Sequence, residues 1–392
     1  MEPYILSLIL ISIIFFIFFV IKICQKSTVS ELPPGPKAWP IIGNIHQLGD
    51  RPHCSVTELS KKYGSIMTLK LGTITTIVIS SPEVAREMFL KHDLTFSSRA
   101  FPDGATVSNH HKHSMVWLPV GPKWREFRKI AVVQLFTNHR LDSSQGSYDS
   151  SSLQEFKDIV WPVLELAGKP NVSDFFPLVR HLDLQGVLRK ISVYYKKTLE
   201  VFNRIIEKRL RDGITVKDDV LGTLLKLVED NELSLKDVIH MLMLPYIQAV
   251  VKETFRLHPP APFLIPHKAE KDVQLCGFSI PKDAQIWVYV WSIGRDSSVW
   301  PNALSFMPER FMDSEVNFKG RSFELIPFGA GRRMCPGMPL AHRMVHLMLA
   351  TLLHSFNWKH AHGLCPKDID VEEKFGLTLQ KAQPLQAIPL IR

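Results

Sequence analysis

The chain has 392 residues, 45% hydrophobic, 10% aromatic and 22% charged, a balance that excludes an intrinsically disordered chain and suits a folded protein with a sizeable core. Its net charge of +9 leaves nucleic acid, an anionic membrane or an acidic protein surface as partners; with no zinc-finger spacing and no arginine-rich tract, nucleic acid is set aside. Five scattered cysteines (Cys24, Cys54, Cys276, Cys335, Cys365), odd in number, exclude a disulfide framework and point to a reducing compartment for the folded part.

Ile5 to Ile21 is apolar except for Ser7 and Ser12. Extended to Cys24 it spans roughly 31 Å as a helix, enough for a thin bilayer such as the endoplasmic reticulum. A cleaved signal peptide is the alternative; against it, Glu2 stands where Lys or Arg is expected and no small-residue cleavage site follows. Lys22 and Lys26 keep the body cytosolic, so residues 1–24 read as a signal-anchor transmembrane helix in contact with membrane lipid. The sequon Asn171-Val172-Ser173 then stays unglycosylated. Residues 25–40 form a hinge around Leu32-Pro33-Pro34-Gly35-Pro36, which cannot continue a helix.

Next, Ile66 to Leu71 and Thr76 to Ile79 predict a hairpin around Gly72, and Ser81-Pro82-Glu83 opens a helix that buries Val84, Met88 and Phe89. His110, His111 and His113 invite a metal reading, but without Cys or acidic partners at ligand spacing a solvated loop is favoured. Trp124 and Arg128 share a helical face at i and i+4, suiting either a bound carboxylate or a surface cation–π pair. Ser143 to Ser152 reads as a serine-rich turn; Phe156 to Leu166, Val193 to Leu210 and Leu221 to Leu227 read as helices. Glu253 and Arg256 can pair at i and i+3, as an exposed pair of little worth or as part of something buried. Pro259 to Pro266 is an extended apolar run, Val273 to Ile280 and Gln285 to Ser292 read as strands, and Phe375 to Leu379 reads as the turn of a strand pair.

The rest is organised around Pro327 to Gly337, where Cys335 sits in a loop of glycines and arginines ahead of a helix starting near Met338. That helix carries Leu340, Met344, Leu347 and Met348 on one face. A thiol at a helix N-terminus beside Arg332 and Arg333 is primed to be a thiolate ligand, and Gly331 and Gly337 would let a flat cofactor approach. A buried structural cysteine in a turn is the plain alternative.

Phe328, Gly331, Arg333, Cys335 and Gly337 match the signature of the haem-thiolate monooxygenases, the cytochrome P450 superfamily, which the chain resembles from the anchor to Arg392. The resemblance implies a mainly α fold with a small β region, internally truncated, with residues 41–392 as the haem-thiolate catalytic domain. It implies haem b, its iron ligated by Cys335, with Trp124, Arg128 and His267 around the propionates and Phe328, Gly331, Arg333 and Gly337 of the loop binding the cofactor. Glu253, Arg256 and Arg310, the last from Pro308-Glu309-Arg310-Phe311, become a buried structural lock. Pro260, Phe263, Leu264, Ile265, Leu377 and Thr378 line the substrate pocket, capped by the loop 99–118. Electrons come from NADPH through NADPH-cytochrome P450 reductase, and one oxygen atom of dioxygen enters the substrate. Phe375 to Pro384 is similar to the plant family that includes geraniol and other terpenoid hydroxylases, so a small apolar terpenoid is the implied substrate.

One expected element is missing. The family's distal helix, with an Ala-Gly-x-Asp-Thr-Thr type motif that delivers protons to oxygen, is absent, so no catalytic acid and threonine can be assigned. The sequence passes from a run like that before the helix (Leu235 to Met243) to a run like that well after it (Leu244 to Gln248). A second join lies near 144–148, and a deleted or mis-joined exon accounts for both better than divergence. Three rivals to the monooxygenase follow: a truncated, inactive member, a reductase-independent haem-thiolate isomerase, and a haem-free anchored scaffold.

Overall fold

The computed structural model describes residues 32–132, 158–159, 162–163, 166, 171–212 and 245–391 except 313, 362, 366 and 367. The predicted anchor, the serine-rich turn, the helix at 221–227 and the predicted joins up to residue 244 lie outside the described residues. Among the described residues no helix is long and apolar enough to cross a membrane.

The architecture is mainly helical around a small sheet. In chain order come α1 (Pro52–Tyr63), β1 (Ile66–Leu71), β2 (Ile74–Ile79), α2 (Pro82–Lys91), β3 (Ser98–Arg99) and α3 (Pro122–Ile130). They are followed by α4 (Val172–Phe175), α5 (Val187–Asp212), α6 (Pro245–Leu257), β4 (His267–Lys268), β5 (Val273–Leu275), β6 (Phe278–Ile280) and β7 (Gln285–Val288). Then come α7 (Val290–Ile293), α8 (Met338–Ser355), β8 (Phe356–His360), β9 (Glu373–Lys374), β10 (Gln380–Lys381) and β11 (Ala387–Ile391).

The main sheet runs β1-β2-β7-β4-β3, with β2 and β7 parallel and the other neighbours antiparallel. Strand alternation assigns its two faces. Ile77, Ile79, Ile286 and Val288 pack with Val84, Met88 and Phe89 of α2, while Val78 and Tyr289 face the other way, with Val56 of α1 and Phe263. Pro82 starts α2, and Ser81 Oγ caps it by accepting from Val84 N–H at 3.3 Å. A third cluster joins Ala249 of α6 to Trp300, Phe311, Phe318 and Leu325.

Glu253 and Arg256 lock this region together. Arg256 Nε and Nη2 donate to the Glu253 carboxylate at 2.7 and 2.8 Å, Arg310 Nε approaches it at 3.3 Å, and Met307 N–H donates to it at 2.7 Å. Arg256 is 1% exposed, and its remaining N–H groups reach the carbonyls of Gly294, Ala303 and Ser305. Burial of two charges is tolerated because every donor finds an acceptor.

Three local expectations are corrected. Val273 to Ile280 is a tight hairpin, β5–β6, turning at Cys276 and Gly277, both at positive φ (49° and 80°). Gln285 to Ser292 is strand only to Val288; the chain then coils into α7, which brings the Gly294 carbonyl onto Arg256. Pro259 to Pro266 is a series of turns, because its four prolines lack ladder donors and Leu264 sits at φ 52°. Helix α8 differs too. Of its predicted inward stripe, Met348 is 57% exposed, whereas His346 and Ala350 are buried.

Candidate functional site

The cysteine loop is built by short backbone bonds. Gly331–Arg333 forms a turn of 3₁₀ helix, Cys335 N–H donates to Phe328 O at 2.9 Å, and Met334 N–H donates to Gly331 O at 3.2 Å. Phe328 anchors the loop between Phe255 and Phe318, at ring separations of 5.2 and 5.6 Å. Gly331 is demanded by φ 64° and by Asp93, whose Oδ1 would lie 2.4 Å from a Cβ. Gly337 caps α8 without a side-chain bond, leaving the helix N-terminus just beyond half-buried Cys335.

The two adjacent arginines do different work from that expected. Arg332 turns outward to pair with Asp93 at 3.0 Å. Arg333 is buried and donates to the carbonyls of Ser97, Met115 and Leu118. A further cation reaches the loop from α3: Arg128 Nη1 donates to Met334 O, next to Cys335, at 2.9 Å. Burial lowers the pKa of Arg128, and the charge of Cys335 opposes that shift. Trp124, on the same helical face, receives the guanidinium of Arg333 at 4.8 Å and that of Arg128 at 5.5 Å from its ring centre.

Tertiary structure adds a third guanidinium that periodicity did not reveal. Arg99 on β3 pairs in register with His267 on β4. Its Nη2 reaches Arg333 O at 3.5 Å and its Nη1 donates to Ile265 O, while Nε is buried with no partner. Burial and the field of Arg333 bring Arg99 down to about 9, and burial with Arg128 brings Arg333 down to about 10. His267 donates from Nδ1–H to Phe96 O at 2.7 Å; burial, then the field of Arg99, hold it well below the ordinary histidine value. Among the described residues no carboxylate lies at ion-pair distance from Arg99, Arg128 or Arg333. Three clustered guanidiniums, an orphaned Arg99 Nε and a neutral histidine next to a cysteine fit a cofactor carrying two carboxylates and a metal that takes sulfur.

The predicted pocket segments also meet. Leu379 N–H donates to Pro260 O at 2.7 Å, and Phe375 packs edge-on to Phe263 at 6.3 Å, bringing Leu377 and Thr378 beside Pro260 to Ile265. The β9–β10 pair frames that turn as expected. The histidine loop packs instead of lying free. His111 stacks on Phe101 at 5.1 Å, His110 faces Tyr195 of α5, and His113 is exposed. Among the described residues no group of three or more His, Cys, Asp or Glu could hold a metal ion. Asn171 and Ser173 of the sequon are each 2% exposed. A cavity of about 210 Å³ between α2 and the 299–324 segment is lined by Arg86, Trp300, Glu324 and neighbours, none of them a predicted site residue.

Known proteins match this arrangement closely. The sequence profile described as Cytochrome P450 matches residues 33–144 and 215–386. The chain is 42% identical to Cytochrome P450 76T24 of Catharanthus roseus, covering 92% of this chain and 93% of that protein. It is 41% identical to Geraniol 8-hydroxylase of the same plant (92% and 94%), and 37% identical to Drimenol monooxygenase of Persicaria hydropiper (93% of each). The first of these alignments runs over 466 positions, more than the 392 residues of the chain, so it opens gaps on this chain's side.

Proposed function

The chain belongs to the cytochrome P450 family of monooxygenase oxidoreductases, and on that premise we propose that it binds haem b through Cys335 and hydroxylates a small apolar terpenoid. The observation that carries the reading is the cluster of Arg128 and Arg333 on Trp124, with Arg99 against Arg333 and, among the described residues, no carboxylate at ion-pair distance, next to the Cys335 loop. When bound, haem supplies the redox chemistry of monooxygenation: one atom of dioxygen enters the substrate and the other leaves as water.

The chain's own residues do the rest. Cys335 Sγ would be the ligand to the iron, half-buried just ahead of α8. Arg99, Arg128, Arg333 and the Trp124 indole N–H would hold the propionates, with His267 in register with Arg99 across the β3–β4 pair. Pro260 to Ile265 with Leu377 and Thr378 form an apolar wall that excludes water and orients the substrate. The terpenoid class rests on the similarity to a geraniol hydroxylase and a drimenol monooxygenase. Residues 1–24 anchor the body to the endoplasmic reticulum membrane and 25–40 act as hinge; the net charge of +9 suits an acidic reductase delivering electrons from NADPH.

A second reading is favoured by one specific feature. Val345, Met348 and Leu352, at i, i+3 and i+7 on α8, are 38%, 57% and 40% exposed, an apolar stripe on one face of the helix. Together with the gapped alignment and the missing distal motif, it supports a chain that has lost the element facing the haem. On that reading haem is held but oxygen activation is weak or lost, for want of the residues that deliver protons.

Reduced protein exposed to carbon monoxide separates the outcomes. A red-shifted Soret band, abolished by Cys335→Ala, is expected; no band in the unaltered chain would overturn the haem assignment. Reductase-driven, NADPH-dependent turnover of a monoterpene alcohol then distinguishes an active enzyme from a haem-holding remnant. Sequencing the transcript across codons 243 to 245 tests the join.

A further inference from the structure

Among the groups left unused by the proposed chemistry is Glu373, the first residue of β9, whose side chain is 12% exposed. Four partners from three other parts of the chain converge on its carboxylate. His258, just past α6, donates from Nδ1–H to Oε1 at 2.8 Å, and Trp291 of α7 donates from Nε1–H to Oε2 at 2.9 Å. Arg295 Nη2 stands 3.7 Å from Oε1, its guanidinium 3.6 Å from the Trp291 ring centre. His53 of α1 places Nε2 3.7 Å from Oε2 and stacks on Phe375 at 5.4 Å.

We propose that Glu373 is the positioning residue of the substrate wall, holding the 375–379 turn, with Leu377 and Thr378, against Pro260 to Phe263. The geometry supports this in three ways. Glu373 and Phe375 lie two residues apart, so the ion knot and the ring stack on His53 fix the turn at its base. The turn's far end is tied by one main-chain bond, Leu379 N–H to Pro260 O. β9 and β10 pair over only two residues each, too few to hold a turn unaided. The carboxylate is also kept ionised: burial would raise it, but the bonds from His258 and Trp291 and the field of Arg295 hold it below the ordinary glutamate range. A fixed negative charge with donors on several elements resists the rotation that would open the wall. Its consequence for the substrate rests on the monooxygenase reading; its consequence for the turn does not.

The test uses the full chain, Glu373→Gln, which keeps the shape and removes the charge, and His258→Gln, which removes one donor. Trypsin cleavage after Lys374 and Lys381 is scored against cleavage after the exposed Lys61 and Lys91. Glu373→Gln is expected to raise that ratio at least tenfold and His258→Gln by a smaller factor. In haem-loaded protein the carbon monoxide band should be unchanged while the Kd for geraniol, read from the Soret shift, rises about tenfold. A ratio within twofold of the unaltered chain, or equal acceleration at all four lysines, would overturn the proposal. Absence of the band in the unaltered chain overturns the haem reading alone, and the cleavage ratio still decides the role of Glu373.

Discussion

Arg99 shows what a single residue contributes that its neighbours in sequence do not reveal. In the bare chain it is a cost: a guanidinium with a buried, unpartnered Nε, crowded by Arg333 and brought down to about 9 chiefly by burial. Beside a propionate the same charge becomes an asset worth about 1.5–3 kcal/mol. Arg99→Leu should therefore leave the thermal stability of the haem-free protein unchanged or raised. It should speed haem transfer to an apomyoglobin acceptor roughly ten- to hundredfold. Lower haem-free stability with unaltered transfer would show that Arg99 is a fold residue instead. Tyr289 repays its burial by bonding Thr57 and the His53 carbonyl, which fixes α1 against the end of β7. Burial drives its phenol far above the ordinary tyrosine value.

At the scale of elements, the 3₁₀ segment 103–112 is pinned to the 171–182 segment through carboxylates. Asp103 N–H donates to Asp174 Oδ1 at 2.6 Å, and Arg180 pairs with Asp103 at 3.1 Å. Burial pushes Asp174 up from 3.8 to about 6; the bond from Asp103 N–H opposes this and the Asp103 carboxylate adds to it. The folded chain therefore holds the Asp174 proton more tightly than the unfolded chain does. Stability should fall as pH rises from about 4 to about 6 and stay lower above that. Asp174→Asn, whose carbonyl still accepts from Asp103, should flatten this limb and stabilise the protein at pH 7 by about 1–3 kcal/mol. Melting temperatures at half-unit pH steps check it; a variant that tracks the unaltered chain between pH 4 and 6 would remove Asp174 as the cause. Elements are joined elsewhere by apolar packing, as where Ile191 of α5 leaves no room for a side chain at Gly104.

For the whole molecule the exposed apolar face of α8 matters most. A helix buried on both sides loses about 2–5 kcal/mol when a core Leu or Met is truncated, whereas an exposed position changes stability by about 0.5 kcal/mol or less. Met348→Glu combined with Leu352→Arg should thus leave the melting transition nearly unmoved and reduce self-association in sedimentation velocity. A loss of several kcal/mol would mean that another element covers the stripe. The residues proposed to hold haem come from α3, the β3–β4 pair and the cysteine loop, whereas no Ala-Gly-x-Asp-Thr-Thr string occurs in the sequence, so haem binding and turnover are tested separately.

Much of this was readable in the amino acids because it rests on local chemistry. Pro82 after Ser81 starts α2, period-two apolar runs make β1 and β2, i and i+3 spacing pairs Glu253 with Arg256, and the glycines of 328–337 mark a loop that turns ahead of α8. Such signals need only the few residues that carry them. The missing distal motif was equally plain, since an absent string needs no fold to be noticed. What folding alone decided was every pairing across long sequence separation. Arg99 meets His267 because two-residue strands happen to be neighbours in the sheet, and Arg128 reaches the cysteine loop while Asp93 claims Arg332. Glu373 gathers donors from α1, from past α6 and from α7. Those contacts are set by how packed elements orient their side chains, and no periodicity along one segment encodes where another segment will lie.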